Sequence, residues 1–331
     1  MRRVRPAWIA AVILLAAVLS SAAENGAPKP VLWTDPGDIR SRNLFWGPGG
    51  EKHQPQMPVE FEKEDMDGTS PKFDVRDASG GKWRAKLGLE PRLETVSSRL
   101  MWAVGYTANA DYYYANLHVD KLPFPLRRGR QFTTRDGEVR NVRLQRPPDH
   151  LKRVGKWSWR HNPFYGTREF DGLRLMMALI GNWDLKDDNN AIFENEKEAG
   201  PDVYAVSDVG TSMGSPGKSY TDRVSKGNLA VYRRTKLIAH VHKDYVDLNF
   251  PKCPPWSELL EFEWVFYFHQ VGLGWIGKHI PREDARWIGS LLRQLTPDQI
   301  RDAFRAAGYS DLEINAYTQA VIARIQELKD L

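Results

Sequence analysis

The chain has 331 residues, of which 41% are hydrophobic and 27% are charged, and its formal net charge is +5. That hydrophobic content is enough for a sizeable core, in one large domain or in two lobes. The sequence has a single cysteine, Cys253, which excludes an internal disulfide bond and a thiolate metal cluster.

Residues 1–23 have the three parts of a secretory signal peptide. A start with three arginines precedes an apolar stretch from Ala7 to Leu19, and small residues follow it. These 13 apolar residues are fewer than the roughly 20 of a membrane-spanning helix. We therefore expect export to the periplasm or the exterior, with an uncleaved membrane anchor as the alternative. Losing the three arginines would lower the net charge from +5 to +2, which gives no argument for nucleic-acid binding.

Residues 24–67 are rich in proline, glycine and charge, which predicts an N-terminal extension. The pattern changes from Ser70 onward. Two short strands are expected there, at Lys72–Arg76 and Lys82–Leu87, with a turn between them over Ala78–Gly81.

A helix should follow these strands. Apolar residues at helical spacing predict a helix that Glu94 opens and Gly105 closes. Aromatic and β-branched residues within 111–119 and 137–145 indicate further strands. This order of elements predicts an α+β fold in which residues 68–146 form a small β-rich lobe with one main helix.

Residues 147–331 predict a second, mostly helical lobe. A core-facing helix should begin near Thr167, and a β-hairpin is expected over 191–206. Later helices should begin after Thr296 and Ser310, because each is followed three residues on by Gln or Glu, the pattern of a capping box.

A polar cluster, IGNWDLKDDNN, stands between the predicted buried helix and the hairpin. It contains Asp184, Lys186 and Asn189, and Asp208 follows the hairpin. Because a hairpin returns its end to its start, Asn189 and Asp208 should meet as two hard oxygen ligands for Mg²⁺. Asp184 would then accept a proton from a hydroxyl, with Lys186 beside a transferring phosphoryl group. The alternative is a polar turn whose Asn and Asp side chains cap local backbone.

Lys86 and Glu94 lie upstream, one on a predicted strand and the other on the helix that follows it. A lysine held by a glutamate in this arrangement grips nucleotide phosphates. The alternative is an exposed strand lysine and a first-turn glutamate favoured by the helix dipole. Glu90, four residues before Glu94, competes for the same lysine.

These residues resemble the motifs of the protein-kinase-like fold, and within it those of the HipA-like kinases. The segment Asp184–Asn189, DLKDDN, is similar to the catalytic-loop motif Asp-Leu-Lys-x-x-Asn, and Asp208–Gly210 is similar to the metal-binding Asp-Phe-Gly. The segment GTSPKFDV, residues 68–75, resembles the phosphate loop of that family. Glu94, with a leucine six residues later and a glycine eleven residues later, is similar to its first large helix.

The resemblance implies a bilobal kinase-like fold that uses ATP and Mg²⁺ and phosphorylates serine or threonine of a protein. Residues Val142–Arg146 would lie at the hinge that contacts adenine. The roles it implies are Asp184 as base, Lys186 beside the phosphoryl group, Asn189 and Asp208 on Mg²⁺, Lys86 on the ATP phosphates with Glu94 as its partner, and Gly68, Thr69, Ser70 and Lys72 over the phosphates.

Two departures from that family keep other functions open. Asn182 and Trp183 stand where kinases usually have His-Arg, and export would place the protein where ATP is scarce, as for secretory-pathway and spore-coat kinases. One alternative is a non-catalytic pseudokinase or envelope binding module. Another is a carbohydrate-active protein with Asp184 and either Glu169 or Asp188 as its paired acids.

Overall fold

The computed structural model describes residues 28–68, 70–197, 200–214, 226–250 and 272–331. The predicted signal peptide, Thr69 and Cys253 lie outside these residues. The fold is α+β, as the sequence predicts. Among the described residues, no helix has both the length and the apolar character needed to cross a membrane.

The first structural unit is a closed five-stranded barrel with the strand order β1-β2-β3-β5-β4. Neighbouring strands pair antiparallel, and a short parallel pairing of Val59 with Val119 closes the barrel. Alternate side chains such as Phe73, Trp83 and Leu144 fill its interior, because successive strand residues point to opposite faces. The strands are β1 (Val59–Asp65), β2 (Lys72–Asp77), β3 (Lys82–Leu87), β4 (Ala110–Asp120) and β5 (Glu138–Arg146).

Strand β1 lies inside the range 24–67 that the sequence assigned to an extension, so that assignment is wrong for residues 59–65. Its sequence, VEFEKED, does not look like a strand because most of its residues are charged. Of the seven residues, Val59 alone is fully buried. The segment Val142–Arg146 forms the end of β5, in agreement with the strand predicted over 137–145.

Helix α1 (Glu90–Ala103) packs between the barrel and the rest of the chain. It begins one turn earlier than predicted, with Pro91 in its first turn, where a missing N–H is tolerated. Glu94 is therefore inside the helix and 2% exposed, which contradicts the alternative of a solvent-facing first-turn glutamate.

The described residues before β1 form an arm that is held against α1. Leu32, Ile39 and Leu44 of this arm are buried in the main core. Arg42 donates a hydrogen bond to the carbonyl oxygen of Trp102 at 2.5 Å, and Arg99 of the helix donates to that of Phe45 at 3.1 Å. The arm is thus part of the folded structure.

The rest of the chain contains two small sheets and most of the helices. The hairpin predicted after the polar cluster is present as β7 (Asn190–Asn195) and β8 (Val203–Val206). A third strand, β6 (Leu151–Gly155), pairs with the other edge of β7. The elements are β6 (Leu151–Gly155), α2 (Arg168–Ile180), β7 (Asn190–Asn195), β8 (Val203–Val206), α3 (Leu229–Arg234), β9 (Ile238–Val241), β10 (Tyr245–Leu248), β11 (Ile280–Pro281), α4 (Arg282–Leu292), α5 (Pro297–Ala306) and α6 (Asp311–Gln326).

The predicted helix starts hold for three helices. The side chain of Thr167 accepts a hydrogen bond from the Phe170 amide at the start of α2, and Gly181 ends that helix in the left-handed region with φ 64°. Capping boxes at Thr296 and Ser310 open α5 and α6, as predicted. Arg92 of α1 lies over the ring of Tyr309 at 3.6 Å, which connects α1 to these C-terminal helices.

Candidate active site

A cleft of about 880 Å³ lies between the outer face of the barrel and the loops around the β7–β8 hairpin. Nine of the ten residues predicted for the site line it, and the tenth, Thr69, is outside the described residues. The nine are Gly68, Ser70, Lys72, Lys86, Glu94, Asp184, Lys186, Asn189 and Asp208. Residues that are up to 140 positions apart in the sequence thus share one cavity.

Lys86 lies at the inner end of this cleft, among several carboxylates. It sits on β3 and contacts three carboxylates: its Nζ lies 2.5 Å from Glu90, 2.7 Å from Glu94 and 3.3 Å from Asp208. Its side chain is 7% exposed, so it is not the solvent-facing lysine of the alternative interpretation. Glu90 and Glu94, the two candidate partners of this lysine, therefore both contact it.

Arg143 of β5 is a site residue that the sequence did not reveal. It lies 2.8 Å from Glu94 and 2.5 Å from Asp111, and its side chain is 2% exposed. On β5 it lies on the same outward face as Asn141 and Gln145, and in the sequence a residue on that face looks like a solvent-facing one. It fixes Glu94 from the side opposite Lys86.

The polar cluster forms a tight loop held by its own polar groups. The side chain of Asn189 donates a hydrogen bond to the carbonyl oxygen of Asp184 at 2.6 Å, and Lys186 lies 3.0 Å from the Asp184 carboxylate. The fully buried Asn182 accepts hydrogen bonds from the Asp184 amide and from the hydroxyl of Thr211. Asn182, one of the departures from the kinase pattern, therefore joins this loop to the segment after Asp208.

Asn189 and Asp208 meet at the base of the hairpin, as predicted. The amide N–H groups of Ser207 and Asp208 donate to the carbonyl oxygen of Asn189, at 2.8 and 3.2 Å. Because the Asn189 amide nitrogen already donates to Asp184, its side-chain oxygen is the atom left to bind a cation. An amide oxygen and a carboxylate, as Asn189 and Asp208 supply, fit the ligand preference of Mg²⁺.

The electrostatics keep this end of the cleft ionised. Partial burial opposes the charge on Asp208, but Lys86 and the Gly210 amide hold the pKa of its carboxyl well below the usual range. Burial likewise opposes the charge on Glu90, and Lys86 and Lys226 lower its pKa. Although burial lowers the pKa of Lys86, the three carboxylates raise it above its ordinary value.

Glu94 is subject to opposing influences. Complete burial raises its pKa, to about 8, whereas Arg143 and Lys86 lower it. Each carboxylate oxygen has a cation within 2.8 Å, so the ionised form fits this geometry better. The carboxylates of Glu90, Glu94 and Asp208 lie close enough to hold a metal ion, but the ammonium group of Lys86 is the cation between them.

The predicted phosphate loop connects β1 with β2 at the rim of the cleft. Gly68 has φ +65°, a conformation that favours glycine, and its carbonyl oxygen accepts a hydrogen bond from Arg128 at 2.6 Å. Lys72 lies 3.7 Å from Asp65 and pairs across the strands with Lys86. The loop thus places a backbone turn and a second lysine near Lys86.

The carboxylates of the carbohydrate alternative are not all in the cleft. Asp184 and Asp188 line it, whereas Glu169 does not. Asp188 forms an exposed ion pair with Lys156.

No protein-family model matches the chain, and no curated protein matches it significantly.

Proposed function

We propose that this protein is a bilobal, protein-kinase-like phosphotransferase that uses ATP and Mg²⁺ and phosphorylates serine or threonine of a protein substrate outside the cytoplasm. In this proposal the barrel with α1 is the small lobe and the remaining helices form the large lobe. The resemblance to HipA-like kinases is part of the proposal.

The observation that carries the proposal is the convergence of Lys86, Asp208 and Asn189. Lys86 is held by Glu94 at 2.7 Å and lies 3.3 Å from Asp208, whose amide donates a hydrogen bond to the Asn189 carbonyl oxygen. Phosphoryl transfer needs a cation for the donor phosphates and oxygen ligands for a metal, and both are found within a few ångströms here. A separate polar turn and a separate strand lysine would not meet.

The remaining residues complete an in-line transfer. The bond between the γ-phosphorus and the bridging oxygen of ATP breaks, and a bond from that phosphorus to the acceptor oxygen forms. Asp184 takes the proton of the acceptor hydroxyl, and Lys186, 3.0 Å from Asp184, stabilises charge on the moving group. Mg²⁺, when bound, neutralises phosphate charge; Asn189 and Asp208 would hold it.

The test is transfer of label from ATP by the purified protein, with Asp184→Ala beside it. We expect the wild type to label an acceptor or itself and the variant to lose this activity by at least about 100-fold, since a general base contributes roughly 10²–10⁴-fold. Asp188→Ala is the matched control, because Asp188 lies on the same loop and pairs with the exposed Lys156.

Comparing γ-labelled with α-labelled ATP separates phosphate transfer from AMP transfer. Equal labelling by the wild type and Asp184→Ala would refute the proposal. Nucleotide binding with Mg²⁺ but no labelling would favour the pseudokinase alternative.

A further inference from the structure

Glu90 is shared between two lysines at the inner end of the cleft. One of its carboxylate oxygens lies 2.5 Å from Nζ of Lys86, and the other accepts a hydrogen bond from Nζ of Lys226. Both lysines line the cleft. Lys226 lies 136 residues from Glu90 in the sequence, so no local pattern connects the two.

The Lys86 ammonium group is in contact with three carboxylates. It donates hydrogen bonds to Glu94 and Asp208 and forms an ion pair with Glu90. Because carboxylates surround it, a phosphate oxygen can reach Lys86 only if one of them gives way. The contact with Glu90 is the shortest of the three, which makes Glu90 the strongest competitor of an incoming phosphate.

Glu94 is poorly suited to give way, because Arg143 holds its second oxygen at 2.8 Å and its side chain is only 3% exposed. Glu90 differs because it has another cation on which to remain. Its approach to this position depends on Gly210: a Cβ atom there would lie 2.9 Å from the Glu90 side chain, closer than side chains pack. The site is thus built to admit Glu90 between the two lysines.

The charge balance points the same way. The ion-pair cluster around Lys86 has a net charge of −1, because it contains four carboxylates and, with Lys226, three cations. Its members are Asp111, Glu90, Glu94 and Asp208 against Lys86, Arg143 and Lys226. Without Lys226 the net charge would be −2. An anionic phosphate chain would then meet stronger repulsion as it approached Lys86.

We propose that Lys226 is a positioning residue that holds Glu90 when a phosphate chain binds, so that Lys86 can exchange its ion pair with Glu90 for a contact with the phosphate. The inference rests on the proposed function in taking Lys86 as the phosphate ligand. Lys226 acts through Glu90 and does not contact the phosphate. The predicted consequence is that the effect of Lys226 depends on the presence of the Glu90 charge.

A double-mutant cycle with inorganic tripolyphosphate and Mg²⁺ as the probe tests this inference. We expect Lys226→Met to weaken tripolyphosphate binding about tenfold, within the range of coupling between contacting residues, and Glu90→Gln to strengthen it. In the Glu90→Gln background, Lys226→Met should change the dissociation constant by less than about twofold. Lys226→Arg should retain binding, and melting curves establish that each variant is folded.

An equal weakening by Lys226→Met in both backgrounds would overturn the inference, because it would mean that Lys226 contacts the phosphate directly. No weakening in either background, or no binding of tripolyphosphate by the wild type, would overturn it as well. The assay of labelled ATP is independent of these outcomes. Coupling without transfer refutes only the kinase proposal, and transfer without coupling refutes only the role of Lys226.

Discussion

Replacing Lys86 by methionine would leave three carboxylates facing one another without their shared cation. Glu90 and Glu94 are 8% and 3% exposed in their side chains, so little water can replace the lost ammonium group. Removing one partner of a buried ion pair costs about 3–5 kcal/mol, mainly because the other charge stays buried. Asp208 adds little, since its side chain is 42% exposed and solvent screens it.

We therefore expect Lys86→Met to lower the free energy of unfolding at pH 7 by about 3–5 kcal/mol. At roughly 2 °C per kcal/mol for a chain of this size, the melting temperature should fall by about 6–10 °C. Thermal or denaturant unfolding followed by circular dichroism measures both quantities. Lys156→Met is the matched control: the Lys156–Asp188 pair is 62% and 72% exposed, so its loss should change stability by about 0.5 kcal/mol or less.

The pH dependence provides a second signature of the same variant. In the wild type, Lys86 lowers the pKa of Glu90 and Asp208, so their stabilising contribution is present above the unfolded pKa of about 4 and is lost as the pH falls. In Lys86→Met these carboxyls take up protons more readily, which removes their repulsion. The difference between wild type and variant should therefore shrink between pH 7 and pH 4. A loss no larger than that of Lys156→Met, or one that stays constant with pH, would refute this account of the cluster.

Three further predictions concern other parts of the molecule. ATP at 100 times its Kd should stabilise the folded protein by about 2.7 kcal/mol, and Asp208→Asn should abolish the part of this stabilisation that depends on Mg²⁺. An unchanged thermal shift with Mg²⁺ would contradict the role of Asp208 as a metal ligand. The wild type should lose stability steadily from about pH 5 to pH 3, because the pKa values of Asp208 and Glu90 are depressed, and flat stability in a pH series of denaturant titrations would count against this. Thr296→Ala should cost about 1 kcal/mol by removing the cap of α5, with Thr296→Ser as the control that keeps it, and equal stability of both variants would show that the cap is unimportant.

Elements with a local signal could be predicted from the sequence. Strands β2 and β3 show regular alternation, and helices α5 and α6 have capping boxes whose hydrogen bonds involve neighbours three residues apart. The meeting of Asn189 with Asp208 was also predictable, because a hairpin joins them. Strand β1 was missed since its charged outward face imitates a linker.

The site residues that could not be predicted have no local signal in the sequence. Arg143 and Lys226 acquire their roles only by meeting Glu94 and Glu90 across the fold, and each looks like an ordinary surface residue in its own segment. In the sequence, Asn182 stands out only as a departure from the kinase pattern, yet it is fully buried and hydrogen-bonded to Thr211. Burial and long-range pairing decide these roles, and neither can be inferred from a single sequence.

The attachment of α1 has a consequence for the energetics of ligand binding. The N-terminal arm holds the helix through Arg42 and Arg99, while Arg92 connects it to the C-terminal helices over Tyr309. A helix held on both sides has few other positions to occupy, so the contact of Glu94 with Lys86 exists before any ligand arrives. In the proposed function, a phosphate chain then binds without a prior movement of this helix, and only the side chain of Glu90 has to release Lys86.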